Sequence, residues 1–412
     1  MDLLEPVTQP YAWGSHTAIA ELQGRAAPTA QPEAELWMGA HPSAPSGVER
    51  AGVRTTLDAV IAADSAGELG AECAARFGGR LPFLLKVLGV AKALSIQVHP
   101  SREQAAAGYR AENERGLPAG DKSRNYVDDW PKPEILCALT RFEALAGMRT
   151  TADAAALLHT LEVGQLAPLA DDLASTGDLA APADLMGTGD PGALTRALGA
   201  ILTWPAADRG ALVAAVVAAC ERVAAGGGEY AAACAATART AGDHPGDLGI
   251  VASLLLRYVV LRPGEAIFLP AGGPHAYLRG TGVELLANSD NVVRAGLTPK
   301  HIDVPELLKL TDPAAAVPVI EPRPLGGGMA VYDSPAPEFR LYRAELGPGE
   351  VTLPGGGCAR LVLCIRGTGA LRASSGELKV GKGESCYLSA ADGAVTASGP
   401  AVLFIAGNGI DS

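Results

Sequence analysis

The sequence predicts a mainly β protein that is interrupted by a helical insert. Short strand-like runs separated by Gly and Pro turns occupy residues 1–150 and 258–312, and again 329–412. Residues 151–257 are instead rich in Ala and Leu at helical spacing. The 50 Gly and 30 Pro also fit a chain with many turns. We therefore expect a discontinuous β domain (1–150 with 258–312), a helical domain (151–257) and a second β domain (329–412).

The composition narrows the range of functions. Hydrophobic residues make up 48% and charged residues 19% of the chain, which is typical of a globular protein. The net charge of −12 argues against nucleic acid or an anionic membrane as a partner, because both need clustered Lys and Arg. A small anionic substrate needs only a local positive pocket and is compatible with this charge.

The cysteines and the N-terminal residues indicate a cytoplasmic protein. The seven Cys include no Cys-x-x-Cys pair, so we expect free thiols in a reducing compartment. The N-terminal stretch contains acidic side chains and no apolar run, unlike a signal peptide. The longest strongly apolar run, residues 211–220, is too short to span a bilayer.

In the first segment, turn residues separate the predicted elements. Ser101 is a good N-cap and predicts a helix over residues 103–114. A second helix, broken near 64–67, is expected over residues 56–77. The expected strands cover residues 11–15, 35–39, 81–88, 133–139 and 142–149.

The later segments alternate between helical and strand-like patterns. In the insert we expect helices over residues 154–161, 192–204, 209–225, 230–241 and 248–258, with a loop at 165–191. After the insert we expect a strand at 266–269, a hairpin of 276–279 and 282–287, a helix at 304–310 and a linker at 313–328. The last segment predicts a sandwich or small barrel, with strands at 351–353, 359–365, 369–373, 376–380, 385–388 and 402–405.

One strand of the first segment carries a row of polar side chains. Residues 94–99 alternate between apolar and polar, which places Ser95, Gln97 and His99 on one face. Because Gln97 and His99 lie two residues apart, both reach the same space, as two ligands of one metal ion would. The alternative is a half-exposed edge strand with a solvated polar side.

Two further residues complete a candidate metal site. Glu134 stands at the start of an otherwise apolar strand, and His275 ends a tight loop at 270–275. With Gln97 and His99 they offer two imidazoles, a carboxylate and an amide oxygen, a set that suits zinc and leaves room for water or substrate. Taken singly, each has an ordinary alternative as a structural histidine, a surface glutamate or a loop histidine.

A polar run near residue 300 suits a phosphorylated sugar. Residues 286–300 are dense in Asn, Asp, Arg and Lys, and Glu284 precedes them closely. Arg294 offers a rigid fork for a phosphate and Lys300 a point charge. The alternative is a polar loop whose Arg and Lys are solvated.

Together these motifs resemble those of the type I mannose-6-phosphate isomerases. The matching segments are residues 11–15, 35–39, 84–88, 95–100, 132–134, 270–275 and 289–300. The last of them is long and highly specific. The helical insert and the last segment match this family in general character only.

The resemblance implies a fold, a cofactor and a reaction. It implies a jelly-roll catalytic domain of the cupin type, interrupted by the helical domain, and a second cupin-like β domain. It implies one Zn²⁺ per chain, held by Gln97, His99, Glu134 and His275. The implied reaction is the interconversion of mannose 6-phosphate and fructose 6-phosphate through an enediolate. We also expect a cytoplasmic monomer.

Roles for further side chains follow from the resemblance, in the case of Arg294, and from the chemistry of the reaction for the others. Arg294 is the candidate for stabilising the enediolate or orienting the sugar. A base must relay the proton between C1 and C2, and Glu284 and Lys132 are both candidates. The candidates for substrate binding are Ser95, Asp290, Lys300 and Trp13.

One segment departs from the family pattern and keeps two rival functions open. The family usually has Asn and His before Lys-Pro-Glu, whereas this chain has Trp130 and Pro131. A side chain able to carry a proton during ring opening is thereby absent at position 131. The first rival is a cupin oxygenase, because two His and a carboxylate also bind iron(II). The second rival, which Trp130 and Pro131 favour, is a sugar-phosphate-binding protein without turnover.

Overall fold

A computed structural model of the chain describes residues 1–176 and 191–410. The described helices are α1 Ala18–Leu22, α2 Leu57–Ala63, α3 Ser65–Leu69, α4 Ala71–Arg76, α5 Arg102–Glu114, α6 Thr151–Leu161, α7 Ala167–Ser175, α8 Pro191–Leu202, α9 Arg209–Gly226, α10 Ala231–Asp243, α11 Gly249–Ala252 and α12 Val304–Leu310. Short 3-10 helices cover Gly164–Leu166, Ser253–Leu255 and Ala390–Asp392.

Strands make up the rest of the regular structure and dominate both ends of the chain. The described strands are β1 Asp2–Leu3, β2 Val7–Gln9, β3 Glu35–Met38, β4 Gly47–Arg50, β5 Val53–Thr56, β6 Phe83–Val90, β7 Ile96–Val98, β8 Glu134–Ala138, β9 Phe142–Met148, β10 Leu256–Leu261, β11 Ala266–Leu269, β12 His275–Ala287, β13 Val293–Gly296, β14 Val319–Ile320, β15 Arg323–Gly326, β16 Met329–Tyr332, β17 Arg340–Glu345, β18 Val351–Thr352, β19 Arg360–Ala373, β20 Gly376–Gly381, β21 Ser385–Leu388, β22 Thr396–Ser398 and β23 Ala401–Gly407. The predicted class, mainly β with a helical insert, is confirmed.

Strands β2, β3 and β6 to β14 form two facing layers, which we call the first sandwich. One layer has the order β14-β11-β8-β12-β6-β3-β2, and the other runs β10-β9-β12-β7-β13. Apolar side chains such as Leu88, Leu136, Phe142 and Tyr277 fill the space between the layers. Along β6, β8 and β12, every second side chain therefore points into this one interior.

A single strand, β12, belongs to both layers, so the predicted hairpin of 276–279 and 282–287 is wrong. Its first half pairs with β9 and β7, and its second half pairs with β6 and β8. The bend lies at Gly280, whose φ is +132° and where a Cβ would lie 2.7 Å from the Phe142 ring. Because only glycine fits there, the strand can turn from one layer to the other without a loop.

The remaining strands, β1 and β15 to β23, form the second sandwich. Here β19 plays the same part as β12, since it pairs first with β21 and β23 and then with β20 and β22. Two separate strands were predicted over this stretch, which is wrong. Gly367, with φ of +73°, allows one continuous strand to bend between the layers.

Several predicted elements of the insert are confirmed and two are wrong. α7 covers part of the predicted loop, because Ala170 and Leu173 are buried on one side of a regular helix. Residues 177–190 of that predicted loop lie outside the described residues. Only Gly249–Ala252 of the predicted helix at 248–258 is α-helical, and β10 begins at Leu256. A short apolar run fits a buried strand as well as a buried helix.

Two predictions at the edges of the first sandwich are also wrong. Residues 11–15 form a turn with isolated bridges instead of a strand. The predicted linker at 313–328 contributes β14 to the first sandwich and β15 to the second. By contrast, α5 is confirmed with its cap: Ser101 accepts from the Gln104 amide, and the Gln104 side chain accepts from the Ser101 amide.

The two sandwiches share one hydrophobic cluster. Leu85 and Val87 of β6 belong to the same cluster as Leu361 and Phe404 of the second sandwich. The chain also connects the two sandwiches near its N-terminus, because β1 pairs with β21 of the second sandwich and β2 pairs with β3 of the first. The domain boundaries drawn from the sequence remain a prediction. The two sandwiches pack against each other through these shared apolar side chains.

Deletion of residues 329–412 is expected to abolish soluble expression of the chain. The deletion would uncover the shared cluster and leave a large apolar patch in contact with water. Soluble yield and size-exclusion chromatography of the truncated chain against the full chain would measure this. A soluble, zinc-loaded but inactive truncated chain would contradict the expectation and indicate a direct catalytic role for the last segment.

Candidate metal centre and active site

Three potential metal ligands converge inside the first sandwich. His99 follows β7, Glu134 begins β8 and His275 begins β12, so three strands contribute one ligand each. Their ligand atoms all lie within 4.8 Å of one another. All three side chains are buried, with exposed fractions of 1%, 3% and 0%. Such a group is costly in a dry interior unless a cation or a proton compensates the carboxylate.

Hydrogen bonds fix which nitrogen of each imidazole faces the centre. The Nδ1 of His99 lies 2.7 Å from the carbonyl oxygen of Asn291, and the Nδ1 of His275 lies 3.1 Å from that of Gly273. Since a carbonyl only accepts, each Nδ1 carries the proton and each Nε2 carries a lone pair. Neither Nε2 has a hydrogen-bond partner. Burial lowers the pKa of His99 to about 4, which keeps this ring neutral and able to bind a metal.

The distances fit a small divalent cation. The two oxygens of Glu134 lie 3.4 Å from the Nε2 of His99 and 3.4 Å from the Nε2 of His275. Ligands about 2.0–2.1 Å from a tetrahedral zinc ion would lie roughly 3.3 Å from each other. The orphaned nitrogens and this spacing show that the residues present suit such an ion.

Strand register brings Gln97 and Arg294 beside the same centre. Gln97 on β7 lies opposite His275 on one side and opposite Arg294 of β13 on the other. Directly paired residues share a face of the sheet, with neighbouring strands about 4.8 Å apart. The register therefore makes Gln97 a candidate for the fourth ligand, with Arg294 next to it on β13.

Lys132 lies against the carboxylate of the centre. Its Nζ is 3.4 Å from Oε1 of Glu134, and the lysine is buried. Burial alone would raise the pKa of Glu134, but the positive charge of Lys132 helps to hold it well below its usual range. The carboxylate is thus kept charged, as a metal ligand must be.

A second buried network adjoins the centre, and sequence reasoning missed most of it. The Nζ of Lys86 lies 3.2 Å from Glu35 and 3.5 Å from Glu284. The hydroxyl of Tyr277 donates to Glu284 at 2.8 Å. Burial, helped by the charge of Glu134, raises the pKa of Glu284 to about 7. The available signal was Lys86 itself, a lysine in the middle of a fully apolar strand.

Arg294 and Lys300 form a positive corner near these residues. Within residues 1–176 and 191–410, neither side chain has a carboxylate at ion-pair distance. Burial lowers the pKa of Arg294. Burial and then the charge of Arg294 lower the pKa of Lys300. Two neighbouring cations without an acidic partner suit an anionic group.

The other predicted substrate contacts lie in different surroundings. Ser95 is half-buried two residues before Gln97. Asp290 is half-exposed and lies 3.3 Å from the Nε2 of His41. Trp13 packs against the apolar interior of the first sandwich. Its neighbour Tyr11 is 40% exposed, and burial of part of its ring and then the charge of Glu35 raise the pKa of its hydroxyl.

The segment that departs from the family pattern is part of the core. Trp130 is buried, with its ring 6.0 Å from that of Phe77 and under the guanidinium of Arg80. The side chain of Asn291 donates to the Trp130 carbonyl, while the Asn291 carbonyl accepts from His99. Asn291 thereby ties this loop to the metal centre.

Comparison with known proteins assigns the chain to a family. A family model for the catalytic domain of type I phosphomannose isomerase matches residues 1–151. Mannose-6-phosphate isomerase of Salmonella typhimurium is 37% identical over 402 residues, which cover 95% of each chain. The chain belongs to the mannose-6-phosphate isomerase family. Mannose-6-phosphate isomerase of Bos taurus is 36% identical over 85% of this chain and 82% of its own.

Solved structures of the mannose-6-phosphate isomerase family share the whole fold. A zinc-bound mannose 6-phosphate isomerase has a TM-score of 0.87 and 35% identity and covers 99% of both chains. A mutant of the phosphomannose isomerase from Salmonella typhimurium gives a TM-score of 0.88 over 99% of both chains. The resemblance and the fold predicted from the sequence are thereby confirmed. In the described part of the chain, every helix is too short or too polar to cross a membrane.

Proposed function

We propose that the chain is a zinc-dependent isomerase that interconverts mannose 6-phosphate and fructose 6-phosphate. The observation that carries the proposal is the buried convergence of His99, Glu134 and His275, with both Nε2 atoms free to bind. Gln97 would be the fourth ligand because it lies in register with His275. The zinc-bound structure of a family member supports the choice of metal.

The side chains around the centre suit proton transfer between two carbons of a sugar. When bound, zinc would supply a Lewis acid that polarises the sugar oxygens at C1 and C2. Glu284, whose pKa is close to 7, would accept and return the proton through an enediolate. Tyr277 and Lys86 hold the two oxygens of Glu284 in place. Lys132, against Glu134, would offer a positive charge beside the developing oxyanion.

Arg294 and Lys300 would bind and orient the phosphorylated substrate. Arg294 adjoins the ligand Gln97, so its guanidinium would lie near the reacting end of the sugar. Lys300, whose charge neighbours that of Arg294, would bind the phosphate. Without an acidic partner in the described residues, both are available to a dianionic ligand.

A test is direct observation of turnover. Zinc-loaded protein would be mixed with ¹³C-labelled mannose 6-phosphate, and fructose 6-phosphate signals would be followed by NMR. A chelator should stop the conversion, and added zinc should restore it. No conversion at full zinc occupancy would instead support a sugar-phosphate-binding protein without turnover, the rival that Trp130 and Pro131 favour. Oxygen consumption with iron(II) would reveal the oxygenase alternative.

Lys300→Ala is expected to raise the KM for mannose 6-phosphate about tenfold or more, because about 1.4 kcal/mol or more of phosphate binding would be lost. The kcat should change much less, since Lys300 would bind a part of the substrate that does not react. Steady-state kinetics measure both constants. Lys309→Ala removes an exposed lysine of α12 and serves as the control. An unchanged KM in Lys300→Ala would place the phosphate elsewhere.

We also propose that the enzyme acts in the cytoplasm as a monomer. All seven cysteines are free, and six of them are buried, which supports a reducing compartment. Light scattering of the purified protein would measure the oligomeric state.

A further inference from the structure

The second sandwich contains an arginine that is completely buried. Arg360 begins β19 and has an exposed fraction of 0%. Its guanidinium donates to the carbonyl of Gly393 at 2.7 Å and, at 3.4 Å, to that of Pro354. Its Nε has no hydrogen-bond partner. A buried guanidinium bound only to carbonyls keeps its full charge and lacks a counter-ion.

A second arginine approaches from the neighbouring side. Arg340 begins β17, and its Nε is also buried without a partner. Its nearest carboxylate, Asp333, lies 3.8 Å away. Two hydrogen bonds of 2.8 Å from Arg323 already engage Asp333. Arg340 therefore retains capacity for another anion.

The sheet places the two arginines on either side of a glycine. In the order β17-β23-β19, Arg340 pairs with Gly407, and the pairing of Leu361 with Ala406 puts Arg360 opposite Gly407 on the other side. With strands about 4.8 Å apart, the two arginine Cα atoms are separated by roughly 10 Å. A Cβ at Gly407 would meet no atom within 4 Å. The space between the two guanidinium groups is therefore open.

This open space is a cavity of about 140 Å³. Its lining includes Arg340, Arg360, Gly407, Pro354 and Cys358, and no acidic side chain of the described residues contributes to it. At about 30 Å³ per water molecule, it would hold roughly four or five waters or one tetrahedral oxyanion.

The carboxylate whose charge acts on Arg360 already forms an ion pair with another group. Asp392 acts on Arg360 from beyond ion-pair distance and forms an ion pair of 3.0 Å with the N-terminal amine. Burial lowers the pKa of the Arg360 guanidinium, as expected for a cation that is dry and unpaired. An anion in the cavity would remove this cost.

We propose that the cavity between Arg340 and Arg360 is a second anion site, built for a phosphate group. Two guanidinium groups that line one small space, each with an unpartnered Nε, offer donors that match the oxygens of a phosphate. The group is either inorganic phosphate or the phosphate end of a sugar phosphate whose remainder lies outside the cavity. The site shares no residue with the active site and does not depend on the proposed function.

Cys358 provides a local readout of this site. It lines the cavity and is half-buried, whereas the other six thiols are buried. The experiment measures the rate at which iodoacetamide alkylates Cys358 in the full zinc-loaded chain, quantified by peptide mass spectrometry. The probes are inorganic phosphate and mannose 6-phosphate, each compared with sodium chloride at the same ionic strength.

Phosphate is expected to slow the alkylation of Cys358, and two variants should weaken that protection. Arg340→Met removes one fork, and Gly407→Leu fills the open space without removing a charge. Each should raise the phosphate concentration for half-protection about tenfold or more. Arg372→Met, an exposed arginine of the same sandwich, should behave like the wild type. Circular dichroism and thermal melting establish that each variant is folded.

The comparison of the two probes identifies the source of the phosphate group. If inorganic phosphate gives half-protection at a lower concentration than mannose 6-phosphate does, the site binds the free ion. If mannose 6-phosphate gives half-protection at the lower concentration, the site binds a sugar phosphate. Equal protection by sodium chloride would overturn the proposal, and so would a Cys358 rate that phosphate leaves unchanged. Wild-type protection in both Arg340→Met and Gly407→Leu would overturn it as well.

Discussion

His275→Ala is expected to reduce bound zinc from about one ion per chain to nearly none, because three donors hold a zinc ion far less tightly than four. His99→Ala should do the same. Isomerase activity should fall by about a thousandfold or more in both variants, since the metal would supply most of the stabilisation of the developing oxyanion. Elemental analysis and steady-state kinetics measure the two effects.

A histidine away from the centre provides the control for this loss. His159 lies on α6, is half-exposed and contacts Asp171, so His159→Ala should keep full zinc and activity. A chelator should lower the melting temperature of the wild type but leave that of His275→Ala unchanged, because only a bound ion adds stability. Unchanged zinc content in both His99→Ala and His275→Ala would show that the metal binds elsewhere.

The sequence predicted those parts of the site that depend on local periodicity. Alternation along residues 94–99 placed Ile96 and Val98 in the core and left Gln97 and His99 for the site. The capping preference of Ser101 likewise predicted the start of α5 within one residue. Both are properties of a few consecutive residues, and a single sequence contains them in full.

Contacts between distant segments had no such local signal. Lys86 and Glu284 pair across β6 and β12, and nearly two hundred residues separate them in the chain. Lys86 drew no functional interpretation because its neighbours on β6 are all apolar. The sheet register places it opposite Glu284, and the folded structure brings Glu35 within 3.2 Å of its Nζ.

Glycine conformation caused the largest errors in the strands. Gly280 and Gly367 each suggested a turn, but each has a positive φ within a strand that continues into another layer. The residue type alone does not distinguish a glycine that bends a strand from a glycine that ends one. Each sandwich is therefore organised around one long strand, β12 or β19, that was predicted from the sequence as two shorter strands.

Arg294→Ala is expected to lower kcat at least about a hundredfold, which corresponds to roughly 2.7 kcal/mol of transition-state stabilisation. Its place beside Gln97 would bring the guanidinium to the reacting end of the sugar. Zinc content should stay at one ion per chain, because Arg294 is not a ligand. The melting temperature should also stay near that of the wild type, because Arg294 has no ion pair in the described residues. Steady-state kinetics, elemental analysis and thermal melting measure these quantities.

Two further variants separate catalysis by Arg294 from a positioning effect. Arg279→Ala removes an exposed arginine of β12 and should leave kcat unchanged. Arg294→Lys keeps the charge but loses the planar fork, so a partial recovery of kcat would show how much of the effect is charge alone. If Arg294→Ala lost zinc together with activity, the arginine would act by holding Gln97 in place. Normal turnover in Arg294→Ala would show that the role implied by the family resemblance does not apply to this chain.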